Sequence, residues 1–296
     1  MSYVPQPYFL NHLENETVGR LRCETGLSVT RANRTGESFD WFCYEVTFTL
    51  PIGLSLITGG MGQGKTTFLL SLFRDVVERY PDKHHYFLSY EERDELTALK
   101  IISGWSREKN LNLIKNAVSE NSKGKRGGIL EDHPKLKSAI EKFQTFTDTE
   151  ALIIEHQKRI DWTVDADPMG PPKLKLARMI MELGKNGDTG VVFIDGIEEA
   201  AMLQEVAQDR RMIIVATTKD RSLVEDADLA LDLKRRDPDV RRGEQLVASV
   251  LKRRNGQDRG NTFDLKILKD IFLVENADPI QGNENKPPPE GFGPCW

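Results

Sequence analysis

The segment Gly59-Gly60-Met61-Gly62-Gln63-Gly64-Lys65-Thr66 satisfies every fixed position of the pattern G-x-x-x-x-G-K-[ST]. Glycines let consecutive backbone N–H groups turn inward on an anion, along a path that a Cβ would obstruct. Lys65 supplies a point charge for β- and γ-phosphates, and the Thr66 hydroxyl is a ligand for Mg²⁺. With Thr67 opening the next element, residues 59–67 are the predicted binding set for ATP with magnesium. A flexible glycine-rich turn would share the composition, but not the strand before it and the helix after it. Asp195 closes the apolar run VVFID and is the expected acid for the magnesium water shell. A buried strand ending in Asp is common by itself, and the upstream loop is what gives this one meaning.

Two further charged groups could take part. FLSYEE (87–92) ends a predicted strand on Glu91 and Glu92. Segment 234–254 carries eight basic residues (Lys234, Arg235, Arg236, Arg241, Arg242, Lys252, Arg253, Arg254) against three acidic ones. That cluster reads either as the solvated surface of a charged β-hairpin or as an edge that faces phosphates.

The elements that must position these residues follow from periodicity. WFCYEVTFTL (41–50) alternates and is rich in aromatic and β-branched residues, as a strand requires. LSLIT (54–58) is a short apolar strand running into the glycines, and 66–78 has apolar residues at helical spacing. HHYFLSY (84–90) is the next predicted strand, with a helix from about Arg93 to Gly104. Residues 105–150 are the least regular, with SENSKGKRGG (119–128) a basic loop between two helical stretches. ALIIEH (151–156), VVFID (191–195) and MIIVAT (212–217) read as buried strands, and 173–185 as a helix. Strands alternating with helices predict a parallel sheet covered on both faces. After Asp228, LALDL, QLVASVLK, TFDLKI and IFLVE are separated by turn signals and predict antiparallel strands. The expected class is therefore α/β, a mostly parallel sheet with helices on both faces and an antiparallel β-ladder at its C-terminal edge. Residues 1–40 read as an N-terminal extension, 41–275 as the ATPase domain, and 276–296 as a disordered tail rich in Pro, Gly and Asn.

Bulk properties exclude several classes. No apolar run approaches the ~20 residues that span a bilayer, and the first residues lack a signal-peptide pattern. Three widely spaced cysteines suit neither a disulfide framework nor a metal knuckle, and point to a reducing cytoplasm. His84-His85 is expected to be a surface pair. A net charge of -5 means that any nucleic-acid contact must be local.

The order of these motifs resembles the ATPase domain of DnaB-type hexameric replicative helicases over about residues 50–275, and the resemblance implies a RecA-like P-loop core. Those helicases carry Ser-Leu-Glu-Met after the P-loop helix, where Ser89-Tyr90-Glu91-Glu92 stands here. By that match Glu91 is the catalytic glutamate that polarises water, with Glu92 next to it. The run 94–104 resembles the family's following helix. Val224-Glu225-Asp226-Ala227-Asp228 matches the family's acidic strand entry, and Lys252-Arg253-Arg254-Asn255-Gly256 its K-x-R-N-G element. The resemblance makes Lys252 and Arg254 groups that reach ATP on the neighbouring subunit. It also implies single-stranded DNA as ligand, self-association into a ring (a hexamer in the family), and replication proteins as partners. Three departures stand out. Thr218 occupies the place of the family's sensor glutamine. Sixteen residues separate Asp195 from Met212 and ten separate Thr218 from Leu229, both shorter than the family's DNA-contacting stretches. Fifty-three residues precede the P-loop strand at 54–58, so no helical primase-binding domain is expected. The sequence thus supports a DNA helicase or translocase, and alternatively an ATP-switched assembly protein. A monomeric nucleotide kinase fits less well, having no use for a trans-acting arginine.

Overall fold

The computed structural model describes residues 50–90, 92–122, 128–156, 189–236, 245–253 and 262–276, together with 176, 179–181 and 183. The expected strand at 41–49, the N-terminal extension, the C-terminal tail, Glu91 and Arg254 lie outside the described residues.

Among the described residues nine strands form one sheet: β1 (Gly53–Thr58), β2 (His84–Ser89), β3 (Leu152–His156), β4 (Thr189–Asp195), β5 (Ile213–Thr217), β6 (Leu229–Arg235), β7 (Gln245–Arg253), β8 (Thr262–Leu268) and β9 (Leu273–Asn276). Their order is β3-β2-β4-β5-β1-β6-β7-β8-β9. The first six run parallel, and β7 to β9 continue as an antiparallel ladder. LALDL was expected to be antiparallel; β6 is so only towards β7. It joins β1 in parallel because the chain crosses the sheet from β5 through a 3₁₀ helix at Arg221–Asp226 before it enters β6.

The alternation within each central strand explains the two-sided burial. Ile57, Phe87, Val191, Phe193, Ile213 and Val215 face one layer, with Phe68, Phe73 and Val77 of α1 (Lys65–Arg79). Leu54, Leu56, Leu88, Val192, Ile194 and Ile214 face the other. That second layer holds Leu203 and Val206 of α6 (Ala201–Asp209), together with Leu176 and Ile180, which are helical as predicted. Strands apolar on both faces must be covered twice, and here they are. The ring of Phe73 sits 5.3 Å from those of Phe87 and Phe193, so α1 is keyed to the sheet by aromatic contacts.

Segment 105–150 is more regular than expected. Beyond α2 (Asp94–Ser106) come α3 (Leu111–Ser122), α4 (Ile129–Asp132) and α5 (Pro134–Asp148). They close a small core of their own around Ile102, Ile114, Ala117, Leu136, Ala139 and Ile140. The predicted loop at 119–128 begins only after α3 ends at Ser122; residues 123–127 lie outside the described set.

The histidine pair is also not what the sequence suggested. His85 is wholly buried: its Nδ1 accepts from the Val191 amide at 3.1 Å, and Nε2 lies 2.9 Å from the Tyr80 carbonyl. Only His84, 3.8 Å from Glu150, is at the surface edge. Among the described residues there is no cluster of metal-ligating side chains, and no helix long and apolar enough to cross a membrane.

Candidate active site

All parallel strands end at one rim of the sheet, where ligands of open α/β folds gather. The chain leaves β1 through α1 and skips over the positions of β5 and β4 before laying down β2. As a result the ends of β4 and β5 flank the loop that leaves β1. Ser89 is in register with Asp195, and Ile57 with Thr217.

The loop at 59–64 has the backbone its glycines allow. Gly59 and Gly64 have φ of 145° and 92°. A Cβ on Gly59 would lie 2.6 Å from the Leu233 carbonyl oxygen, and one on Gly64 would lie 2.3 Å from Ile267 Cδ1. Gly64 caps α1, whose first turn holds no acidic residue of its own, and the positive helix end is aimed at the loop. Lys65 is buried, its ammonium held by the carbonyls of Gly59 at 2.8 Å and Gly60 at 2.9 Å. Met61, at the tip, is 84% exposed.

Thr66 and Asp195 meet as expected: Thr66 Oγ1 donates to Asp195 Oδ1 at 3.1 Å. A hydroxyl and a carboxylate converging on one point are hard oxygen donors that fit Mg²⁺, which keeps several waters and takes few protein ligands. The same carboxylate oxygen accepts from Thr217 Oγ1 at 2.8 Å, and Thr217 in turn accepts from the Gly196 amide at 2.8 Å. Thr217 was not foreseen. Thr218, at the sensor position, is buried and instead ties β5 to its surroundings, donating to the Ile197 carbonyl at 3.0 Å.

These groups line a cleft of about 940 Å³, a volume suited to a nucleotide. Of the candidate residues, Gly62, Gly64, Lys65, Thr66, Thr67 and Asp195 line it, together with Arg235 of the basic cluster and with Tyr90, Lys269 and Phe272, which were not singled out. Arg235 sat in the basic cluster, where composition gave no hint of its direction. At the end of β6 its amide donates to Gln63 Oε1 at 2.7 Å and its guanidinium to the Gly62 carbonyl. Its Nε is buried with no partner among the described residues. Lys269 is drawn below its ordinary pKa range, first by partial burial and then by the Arg235 charge. Two cations thus converge where an anion would relieve both. Burial pushes the Tyr90 phenol up, so it stays neutral at any working pH.

Elsewhere in the basic cluster, Lys234 pairs with Asp232 at 3.4 Å and Arg236 with Asp264 at 3.0 Å. Lys252 lies beside Ala230 and Arg253 beside Leu229, at the end of β6 away from the phosphate loop. There Lys252 donates to the Glu225 carbonyl. The fold therefore does not bring Lys252 to the phosphate loop of its own chain. Asp228, in the matched acidic entry, is a brace for β1: it accepts from the Leu54 amide and from Gln208, each at 3.0 Å.

Comparisons with known proteins agree with this fold. A family model described as Poxvirus A32 protein matches residues 42–99, the stretch with the P-loop, β2 and the start of α2. No curated protein matches the chain. One similar solved structure is an ATPase domain, with a TM-score of 0.57, 17% identity, and coverage of 77% of this chain and 85% of that one. Another is a DnaB-like replicative helicase described with its interactions with primase, at TM-score 0.57 and 18% identity. The match covers 76% of this chain but 57% of that one, so the chain spans little more than half of that helicase. The nine-stranded sheet, its strand order and its phosphate loop place this chain on the RecA-like fold of DnaB-type helicase ATPase domains.

Proposed function

We propose that the chain is a magnesium-dependent ATPase that works on single-stranded DNA as a ring or filament, with ATP at subunit interfaces. The observation that carries the ATPase reading is the convergence of Lys65, Thr66 and Asp195 at the N-terminus of α1. In this reading the loop amides and Lys65 hold the β- and γ-phosphates, while Thr66 and Asp195 hold magnesium, which when bound neutralises charge between them. Thr217 keeps the Asp195 carboxylate turned to Thr66. Arg235 and Lys269 counter the remaining negative charge, and Phe272 walls the cleft for the base. Glu91 is the proposed base, orienting water in line with the γ-phosphate. Arg254 is the proposed finger, completing a neighbour's site, with Lys252 beside it. The position of β7's end, far from the chain's own loop, supports an action in trans.

The second reading, an ATP-driven assembly switch without unwinding, is favoured by a specific observation. Of the sixteen residues between Asp195 and Met212, nine form α6. Of the ten between Thr218 and Leu229, six form the 3₁₀ helix. Little chain is left over to reach a DNA strand in a central channel. A strand-displacement assay on forked DNA, run beside gel filtration with an ATP analogue, separates the readings. ATP-dependent displacement by an oligomer supports the motor. Assembly with turnover but no displacement supports the switch.

A further inference from the structure

Lys100 lies on α2 and does not itself line the cleft, yet it touches two parts of the molecule that serve it. Its ammonium stands 4.9 Å from the centre of the Phe272 ring and forms an ion pair with Glu92 just past the end of β2. The side chain is nearly buried, so its charge is compensated by one carboxylate and one ring face rather than by water. Phe272 is a cleft-lining residue held at φ 51°, in a turn where its amide donates to the Lys269 carbonyl. Glu92 is held from the other side as well, its amide donating to Ser89 Oγ at 3.0 Å.

The support behind Lys100 is equally fixed. Arg74 of α1 is wholly buried, and desolvation lowers its pKa to about 9 against the opposing charge of Glu78. It donates to the Lys100 carbonyl at 3.3 Å, to Ser71 Oγ at 3.1 Å and to the Phe272 carbonyl. Ser71 Oγ also accepts from the Val274 amide at 2.9 Å. A Cβ on Gly104 would come within 2.3 Å of this guanidinium, so with glycine at 104 the guanidinium can lie directly against α2. The helix that begins at the phosphate loop, the turn carrying Phe272 and the helix carrying Lys100 are thereby locked together.

We propose that Lys100 is a positioning residue that sets the Phe272 wall and the acidic end of β2 in one fixed relation. Contact with the base of the nucleotide and the rate of turnover then depend on the same cation. The inference rests on the nucleotide reading of the cleft and adds which part of the ligand Lys100 serves.

The test compares Mg-ATP with magnesium tripolyphosphate, which has the phosphates but no base. Lys100→Met should weaken ATP by about five- to tenfold and leave tripolyphosphate within about twofold. Lys100→Arg, which keeps the cation, should restore ATP binding. Equal losses for both ligands, or none for ATP, overturn the proposal. Should Lys100→Met fail to fold, Glu92→Gln carries the test: it leaves the Lys100 cation held by the ring alone, so ATP affinity and kcat should both fall several-fold with tripolyphosphate binding within about twofold, and unchanged ATP affinity or equal losses for both ligands overturn the proposal. A wild-type protein that binds neither ligand defeats the nucleotide reading itself, and this inference with it.

Discussion

Arg235 and Gln63 lie 172 residues apart and are joined by a 2.7 Å hydrogen bond from the Arg235 amide to the Gln63 side chain. The end of β6 is thereby fastened to the middle of the phosphate loop, and the Arg235 guanidinium adds a contact to Gly62. Arg235→Ala keeps the amide bond but removes the guanidinium. It should weaken Mg-ATP by about tenfold, the worth of one charge-assisted contact. Isothermal titration checks this, and affinity unchanged within twofold would show that Arg235 only braces the loop.

The glycines of the loop are not equivalent. Gly64 has φ 92° and no room for a Cβ, whereas the nearest atom to a Cβ on Gly60 is Gln63 Cγ at 3.6 Å. Gly64→Ala should therefore abolish nucleotide binding and lower stability by about 1–3 kcal/mol, while Gly60→Ala stays near wild type in both. Paired melting curves and binding assays decide it.

His85 predicts a pH dependence of stability. Burial lowers its pKa from 6.5 to about 4, so the unfolded chain takes up a proton that the folded chain refuses. The contribution is complete above about pH 6.5 and is lost as pH falls towards about 4, reaching roughly 3 kcal/mol. Urea unfolding at several pH values should show a steeper acid-side loss in wild type than in His85→Leu. Parallel profiles would mean that the histidine titrates alike in both states.

How much of this was legible follows from what each signal measures. The loop, Asp195 and the central strands were readable because fixed spacing and two-sided apolar runs depend on neighbours in sequence. The helical stretches on both sides of the basic loop were readable, but not the small core that Leu136, Ala139 and Ile140 close with Ile102 and Ile114. Thr217, Arg235 and Phe272 were not readable. Their roles arise from strand order, which puts β5 beside β4 and β6 beside β1. His85 carries a polar type in an otherwise apolar strand, and only the Val191 amide and Tyr80 carbonyl explain its burial.

The proposed roles of Glu91 and Arg254 are separable by mixing. Glu91→Gln should bind ATP and fail to hydrolyse it, because the amide keeps the shape without the charge that polarises water. Arg254→Ala should bind ATP and lose about 10³–10⁵ in rate, the usual cost of removing a finger. If the arginine acts in trans, co-assembled mixtures contain some interfaces with both residues intact, and activity partly returns. A dead mixture that demonstrably co-assembles places the arginine in cis or makes it structural.

The account stands or falls on Lys65, Thr66 and Asp195 forming a magnesium-dependent ATP site. Steady-state ATP turnover of the wild-type chain, with and without magnesium, beside Lys65→Ala and Asp195→Asn, measures this directly. The account predicts hydrolysis that stops on chelation and falls below about a tenth in either variant. Turnover that persists in Lys65→Ala, or that ignores magnesium, would contradict it.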